Sequence, residues 1–173
     1  MNLVRRCQRI ELILADVDGV LTDGTLILSN EGIETKQFHI RDGLGIKLWQ
    51  RAGGKFGLVT GRSSHSVNLR AAELGIDLVR QGAENKLAVA REIVAALGLT
   101  QEQLCYVGDD LPDLAVVRWA GLGAAVADAC EEVREAADFV TTLPGGHGAV
   151  REVIEQVLKA QGRWDDVVQL FQG

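Results

Sequence analysis

A chain of 173 residues, 47% hydrophobic and 24% charged, is long enough to bury one sizeable core and too short for two ordinary domains. Its formal net charge of −6, without a basic stripe, argues against nonspecific nucleic-acid binding, which needs lysine and arginine to neutralise phosphates. The first apolar run is too short for a signal peptide or a membrane span, and Cys7, Cys105 and Cys130 are typical of reduced thiols. We predict one domain over residues 1–173, in the cytoplasm, with no nucleic-acid or membrane partner.

Six short apolar runs, rich in β-branched residues and ending in Gly, Asp or Thr, alternate with longer segments of helical periodicity. The runs are IELILAD at 10–16, KFGLVTG at 55–61, IDLVRQG at 76–82, LCYVGDD at 104–110, LGAAVAD at 122–128 and DFVTT at 138–142. This alternation predicts an α/β fold, a Rossmann-like, doubly wound and mainly parallel sheet with helices on both faces.

The intervening helices have recognisable ends, since glycine commonly follows the last turn of a helix. The predicted helices are residues 63–74 before Gly75, 85–97 before Gly98, and 112–120 before Gly121, with Pro112 in the first turn. Asp128 is expected to cap a further helix, and residues 148–160 form an amphipathic one.

Two segments depart from this pattern. TLILSNEGIETKQFHI, at 25–40, alternates around an Asn30-Glu31-Gly32 turn, which predicts a projecting β-hairpin flap over about residues 24–40. The C-terminal tail, about residues 162–173, carries the exposed-looking apolar residues Trp164, Leu170 and Phe171, so we expect it to dock on another surface.

Polar residues collect where the predicted strands end. In an open parallel sheet these carboxyl ends form the ligand-binding edge. The residues there are Asp16 and Asp18 after the first strand, Thr60, Gly61 and Arg62 after the second, Asp109, Asp110 and Asp113 after LCYVG, and Lys86 at a helix start. Carboxylates beside a lysine, a hydroxyl and turn amides are suited to Mg²⁺ and a phosphate.

These residue types also fit a phosphoryl transfer. One aspartate can attack phosphorus, and a second can protonate the leaving alkoxide and later deprotonate water. Lys86, Thr60 and the metal would stabilise the charge on the phosphoryl oxygens. Taken singly, the D-x-D pair also occurs in solvated turns and metal-dependent transferases, and GDD also occurs as a turn with a helix cap. Their ordered combination favours the catalytic interpretation.

The chain resembles the haloacid dehalogenase superfamily of aspartyl-phosphate phosphatases. DVDGVLTDG matches its first motif, VTG its second, Lys86 its third and GDDLPD its fourth. The resemblance implies Asp16 as nucleophile, Asp18 as general acid and base, and Thr60 and Lys86 as stabilisers of phosphate and intermediate. It also implies Mg²⁺ held by Asp16, by the Asp18 backbone carbonyl and by Asp109, with Asp110 and Asp113 in support.

Neither usual insertion point for a cap domain has room for one, so we predict no cap. RDGLGIK at 41–47, TGRSSHSVNLRAAELGI at 60–76, QGAENKL at 81–87 and GGHGAVRE at 145–152 are similar to the capless bacterial 3-deoxy-D-manno-octulosonate 8-phosphate phosphatases. That family implies a homotetramer whose flaps pack around its axis, with a neighbouring subunit and tail closing each site. Leu26 and Leu28 of the flap, with Leu170 and Phe171 of the tail, suit such burial.

The family's substrate is an eight-carbon sugar acid phosphate of lipopolysaccharide synthesis. The resemblance implies that its binding residues are Asp18, His39, Ile40, Arg41, Asp42, Gly43, Lys47, Gly61, Arg62, Arg70 and Lys86. Arg62 and Arg70 can hold a carboxylate bidentately, whereas Lys47, where an arginine is also familiar, cannot. His65 and His147 are interpreted as ordinary polar residues.

Two alternatives stay open. A nonulosonate 9-phosphate phosphatase, acting on sialic-acid-type substrates, is the nearer one, although those relatives tend to have glutamate where this chain has Arg62. A non-enzymatic receiver-type domain also collects aspartates, threonine and lysine at strand ends. Its lysine comes last, whereas here Lys86 precedes GDD.

Overall fold

The computed structural model describes residues 2–172. Its helices and strands, in chain order, are α1 Leu3–Cys7, β1 Leu12–Ala15, β2 Ile27–Leu28, β3 Glu34–Thr35, α2 Ile40–Arg51, β4 Lys55–Val59, α3 His65–Leu74, β5 Leu78–Arg80, α4 Lys86–Ala96, β6 Leu104–Gly108, α5 Leu114–Trp119, β7 Leu122–Ala125, α6 Glu131–Ala136, β8 Phe139–Val140, α7 Ala149–Ala160 and α8 Trp164–Gln169. The predicted domain and tail also include Met1 and Gly173, which lie outside the described residues.

All six predicted strands form one parallel sheet in the order β5-β4-β1-β6-β7-β8. The central strands β1 and β6 are buried along their whole length, as expected for a parallel sheet covered on both faces. Helices α1, α2 and α7 pack together, and α4, α5 and α6 form a separate packed group. The predicted α/β fold is therefore confirmed, and it brings the carboxyl ends of β1, β4 and β6 to one edge.

The helix ends follow the glycine pattern at α3. Gly75 adopts a φ of +66°, in the left-handed region that side-chain-bearing residues avoid, and its N–H bonds back into the last turn. The helix predicted for residues 112–120 instead opens with a 3₁₀ turn, Leu111–Asp113, before α5 begins. Pro112 suits this first turn because it has no N–H to leave unbonded.

The flap is a short antiparallel hairpin. Ile27 pairs with Thr35 and Leu28 with Glu34. The predicted apolar residues Leu26 and Leu28 are 51% and 57% exposed, and Ile33 is 65% exposed. A two-stranded hairpin is marginal by itself, so these side chains suit burial against another surface.

One predicted cap is wrong. Asp128 does not cap a helix, because α6 starts later, after Cys130. The Asp128 carboxylate instead accepts a hydrogen bond of 2.9 Å from the Gly145 N–H. It thereby joins the loop after β7 to the Gly145–Gly148 turn, a long-range contact that local helix signals do not encode.

The tail is partly docked on its own chain. Trp164, one of the apolar residues for which docking is predicted, is half-buried and lies 5.2 Å from the Arg151 guanidinium and 5.4 Å from the Lys159 ammonium. Such cation–π contacts attach α8 to α7. Leu170 and Phe171 remain 62% and 61% exposed.

No helix among residues 2–172 is long and apolar enough to cross a membrane. The three cysteines are free, and Cys7 and Cys105 are buried. The cytoplasmic location stays a prediction.

Candidate active site

The predicted strand-end residues share one cavity. It has a volume of about 390 Å³ and lies at the carboxyl ends of β1, β4 and β6. The predicted residues that line it are Asp16, Asp18, Thr60, Gly61, Arg62, Lys86, Asp109, Asp110 and Asp113. Larger grooves of about 760 and 620 Å³ lie elsewhere, but neither includes these acidic strand ends, so the chemistry rather than the volume identifies this cavity.

Lys86 is the buried cation at its centre. Its ammonium lies 2.7 Å from Asp16 Oδ2 and 2.7 Å from Asp113 Oδ1, and its side chain is 4% exposed. Burial alone would lower the pKa of Lys86, but the two carboxylates outweigh this effect and raise it. Lys86 therefore stays charged and is held in place from both sides.

Asp113 positions other groups. It is fully buried, and Oδ1 accepts a hydrogen bond of 2.6 Å from the Tyr106 hydroxyl as well as the one from Lys86. Oδ2 accepts from the N–H groups of Asp109 at 3.1 Å and Asp110 at 3.4 Å. Sequence reasoning missed Tyr106, although a tyrosine within a buried strand signals that its hydroxyl needs a partner.

Asp110 has a local structural role. Its carboxylate accepts a hydrogen bond of 2.8 Å from the Leu111 N–H, at the start of the 3₁₀ turn. Asp110 therefore acts as the helix cap that was the structural alternative for the GDD motif. It also lines the cavity.

The acidic cluster has more negative charge than Lys86 neutralises. Ligand oxygens of Asp16, Asp109 and Asp113 all lie within 4.8 Å of one another. Burial, reinforced by Asp113, raises the pKa of Asp16 to about 6 although Lys86 opposes the shift. Burial, followed by repulsion from Asp113 and Asp16, raises the pKa of Asp109 to about 8. A cation would relieve this repulsion.

The donor set fits a divalent cation that prefers oxygen. Asp109 Oδ1 is buried without a hydrogen-bond partner among the described residues, and an orphaned carboxylate oxygen is costly. Gly19 has a φ of +89°, and a Cβ there would overlap the Asp109 carboxylate. The backbone after Asp18 therefore approaches Asp109 in a way that only glycine permits.

The flap supplies two residues that the sequence analysis did not select. Lys36 forms an ion pair with Asp18 Oδ1, and its ammonium lies 3.4 Å from Glu34 Oε1. Glu34 in turn pairs with Arg62 at 3.0 Å, and Arg62 Nε lies 3.8 Å from Asp18 Oδ2. Asp18 and Arg62 are thus both connected to the flap.

The other predicted substrate residues do not line this cavity. Asp42 is buried and accepts hydrogen bonds from the N–H groups of Gly148 at 3.2 Å and Arg151 at 2.8 Å, which joins the first turns of α2 and α7. Arg70 pairs with Glu73 at 2.7 Å and lies 5.8 Å from the Phe38 ring centre. Substrate binding by these two residues stays a prediction.

The remainder of that set lies around the start of α2. His39 is its N-cap, with Nδ1 accepting from the Arg41 N–H at 3.2 Å, and Ile40 is 78% exposed. Gly43 and Lys47 follow within the same helix. A role for these five residues in substrate binding also stays a prediction.

Comparisons with known proteins agree with the site. The sequence profile of the haloacid dehalogenase-like hydrolases matches residues 71–154. The chain is 41% identical over 165 residues to the 3-deoxy-D-manno-octulosonate 8-phosphate phosphatase KdsC of Escherichia coli, covering 95% of this chain and 88% of that protein.

Two solved structures are very similar to this fold. The 3-deoxy-D-manno-octulosonate 8-phosphate phosphatase of Moraxella catarrhalis, in complex with magnesium, phosphate and KDO, superposes with a TM-score of 0.96 at 44% identity, covering 97% of each chain. A probable YrbI family phosphatase of Pseudomonas syringae superposes with a TM-score of 0.97 at 44% identity, covering 99% of this chain and 97% of that one.

Proposed function

Because the chain belongs to the 3-deoxy-D-manno-octulosonate 8-phosphate phosphatase family of haloacid dehalogenase-like hydrolases, we propose that it hydrolyses this sugar acid phosphate to the free sugar acid and phosphate. The observation that carries the proposal is the contact of Asp16 with the buried Lys86 in the cavity that Asp18 also lines. A nucleophile, a fixed cation and an acid–base group thereby lie at one strand edge.

Two aspartates divide the chemistry. The Asp16 carboxylate attacks phosphorus, the bond to the sugar oxygen breaks, and Asp18 gives that oxygen its proton. Asp18 then takes a proton from water as the water oxygen attacks the phosphorus of the Asp16 acyl phosphate. Phosphate leaves, and both aspartates return to their starting forms.

The charge on the transferred phosphoryl group is stabilised from several sides. Lys86 contributes its ammonium and Thr60 its hydroxyl, while Asp113 and Tyr106 hold Lys86. The carboxylates of Asp16 and Asp109 and the Asp18 backbone carbonyl would hold Mg²⁺, which when bound would supply positive charge beside the phosphoryl oxygens. Asp113 is already committed to its four donors and acts through Lys86.

The proposed specificity comes from cations beyond the phosphate. Arg62 lines the cavity with a half-exposed side chain, and a guanidinium can bind a sugar carboxylate through two parallel hydrogen bonds. Arg70, Lys47 and residues 39–43 are proposed as the other substrate contacts. Their distribution away from the cavity fits a site that is completed in an assembly.

We expect phosphate release to be fastest with the octulosonate 8-phosphate in a panel that also holds nonulosonate 9-phosphates, hexose phosphates and p-nitrophenyl phosphate. A preference of about tenfold in kcat/KM represents about 1.4 kcal/mol of transition-state discrimination and identifies the substrate class. Phosphate release is measured in the presence of Mg²⁺ and in the presence of a chelator, and it must depend on the metal. If a nonulosonate 9-phosphate has the highest kcat/KM, it replaces the proposed substrate. Equally slow cleavage of every compound in the panel would refute the proposed specificity.

We also expect a homotetramer, assembled through the flap. Leu26, Leu28 and Ile33 present an apolar surface there, and Leu170 and Phe171 present another on the tail. Sedimentation of the purified protein measures the assembly. Leu28→Glu should shift it to smaller species and raise KM, and Arg80→Glu, an exposed change on β5, serves as the control. A fully active monomer would contradict subunit-completed sites.

A further inference from the structure

The inner face of the flap carries a buried lysine. In β3 the side chains of Glu34 and Thr35 point to opposite sides of the hairpin. The burial keeps alternating in the residues that follow, because Glu34, Lys36 and Phe38 are partly buried, whereas Thr35 and Gln37 are exposed. The Lys36 side chain is 2% exposed although it belongs to a projecting hairpin.

Burying an ammonium group is costly unless charged partners compensate for the lost water. Lys36 has two such partners, because it pairs with Asp18 Oδ1 and lies 3.4 Å from Glu34 Oε1. Glu34 also pairs with Arg62 at 3.0 Å, so the four side chains form a closed sequence of alternating charges. This arrangement fixes the Lys36 ammonium against the Asp18 carboxylate.

The two oxygens of Asp18 have different surroundings. Oδ1 is bound by Lys36, whereas Oδ2 is buried without a hydrogen-bond partner among the described residues, with Arg62 Nε 3.8 Å away. One oxygen is therefore anchored, and the other is left for a proton. That division suits a group that must give a proton to the leaving oxygen and take one from water.

We propose that Lys36 is a positioning residue for the reaction: by anchoring Oδ1 it orients the Asp18 carboxyl group so that Oδ2 exchanges the proton. Glu34 supports this role by holding Lys36 from the other side. The inference rests on the proposed function, because it needs Asp18 to act as general acid and base. It gives the flap a part in the chemistry besides its proposed part in the assembly.

The leaving group tests this role. A sugar alkoxide needs a proton as it departs, whereas p-nitrophenolate leaves readily without one. General acid catalysis supplies about 10²–10⁴-fold, so a misplaced Asp18 should slow the sugar phosphate selectively. Water attack on the Asp16 acyl phosphate is common to both substrates, so the comparison uses the single-turnover rate of leaving-group release. For Lys36→Met we expect this rate on the octulosonate phosphate to fall at least about tenfold more than on p-nitrophenyl phosphate, with KM less affected. Lys36→Arg should restore part of the difference.

Lys55→Met is the matched control, because Lys55 is exposed at the amino end of β4, away from the cavity. This substitution should leave both rates unchanged. Equal slowing of leaving-group release from both substrates by Lys36→Met would mean that Lys36 only supports the flap. An effect confined to KM would mean that it binds substrate directly. Either result overturns the inference while the wild type stays active on the octulosonate. If wild type fails on that substrate, the proposed function falls first, and the comparison proceeds with another alkyl phosphate.

Discussion

Asp16→Asn is expected to lower kcat/KM by about 10⁴-fold or more, as loss of a nucleophile that works within a catalytic unit does. An amide cannot attack phosphorus, and its nearly equal volume leaves the surrounding packing unchanged. Asp16 accepts from the Val17 N–H through Oδ1 and contacts Lys86 through Oδ2, both at 2.7 Å. Asparagine can keep one of these two contacts. The stability lost with the other contact is partly offset, because the variant no longer repels the carboxylates of Asp109 and Asp113.

A trapping experiment separates loss of chemistry from loss of fold. Wild-type protein is quenched in acid during turnover of substrate that carries a radioactive phosphorus. It should retain the label, and hydroxylamine should release that label because hydroxylamine cleaves an acyl phosphate. The asparagine variant should retain none, while its unfolding transition stays cooperative. Asp23→Asn serves as the control, since Asp23 is exposed in the same loop and should stay active. Two results would contradict the covalent mechanism: wild-type protein that retains no label after the quench, or normal turnover by Asp16→Asn.

The sheet could be predicted from local patterns because each strand is a short apolar run with a turn residue at its end. Once the strands are parallel, their carboxyl ends meet at one edge whatever the details of packing. Asp16, Thr60, Lys86 and Asp109 could therefore be placed together before any contact was known. The resemblance then supplied the roles that residue types alone leave open.

The contacts that hold those residues depend on three-dimensional proximity that no local pattern encodes. Lys36 reaches Asp18 only because the hairpin folds back over the strand edge. The partners of Asp42 are the N–H groups of Gly148 and Arg151, more than a hundred positions away in the chain. These are pairings of buried polar groups, whose satisfaction depends on packing between distant elements.

Lys86→Met is the second change with a large expected effect. The substitution keeps most of the length of the side chain but removes the ammonium that lies between Asp16 and Asp113. Breaking a buried ion pair by deleting one partner costs about 3–5 kcal/mol, because the remaining charge loses its compensation. Activity should fall at least about 10²-fold, since the fixed cation beside the phosphoryl group is lost. Urea unfolding and steady-state kinetics measure the two effects.

The double variant Lys86→Met with Asp113→Asn distinguishes these effects. Asparagine at 113 removes one of the two carboxylates left without a counter-charge, and its single acceptor oxygen can face either the Tyr106 hydroxyl or the N–H groups of Asp109 and Asp110. We therefore expect the double variant to recover part of the stability of Lys86→Met but none of its activity. Recovery of both would make Lys86 a structural counter-charge alone. A single variant that unfolds like wild type would instead show that a bound cation already balances Asp16, Asp109 and Asp113, leaving Lys86 with the phosphoryl group as its main partner.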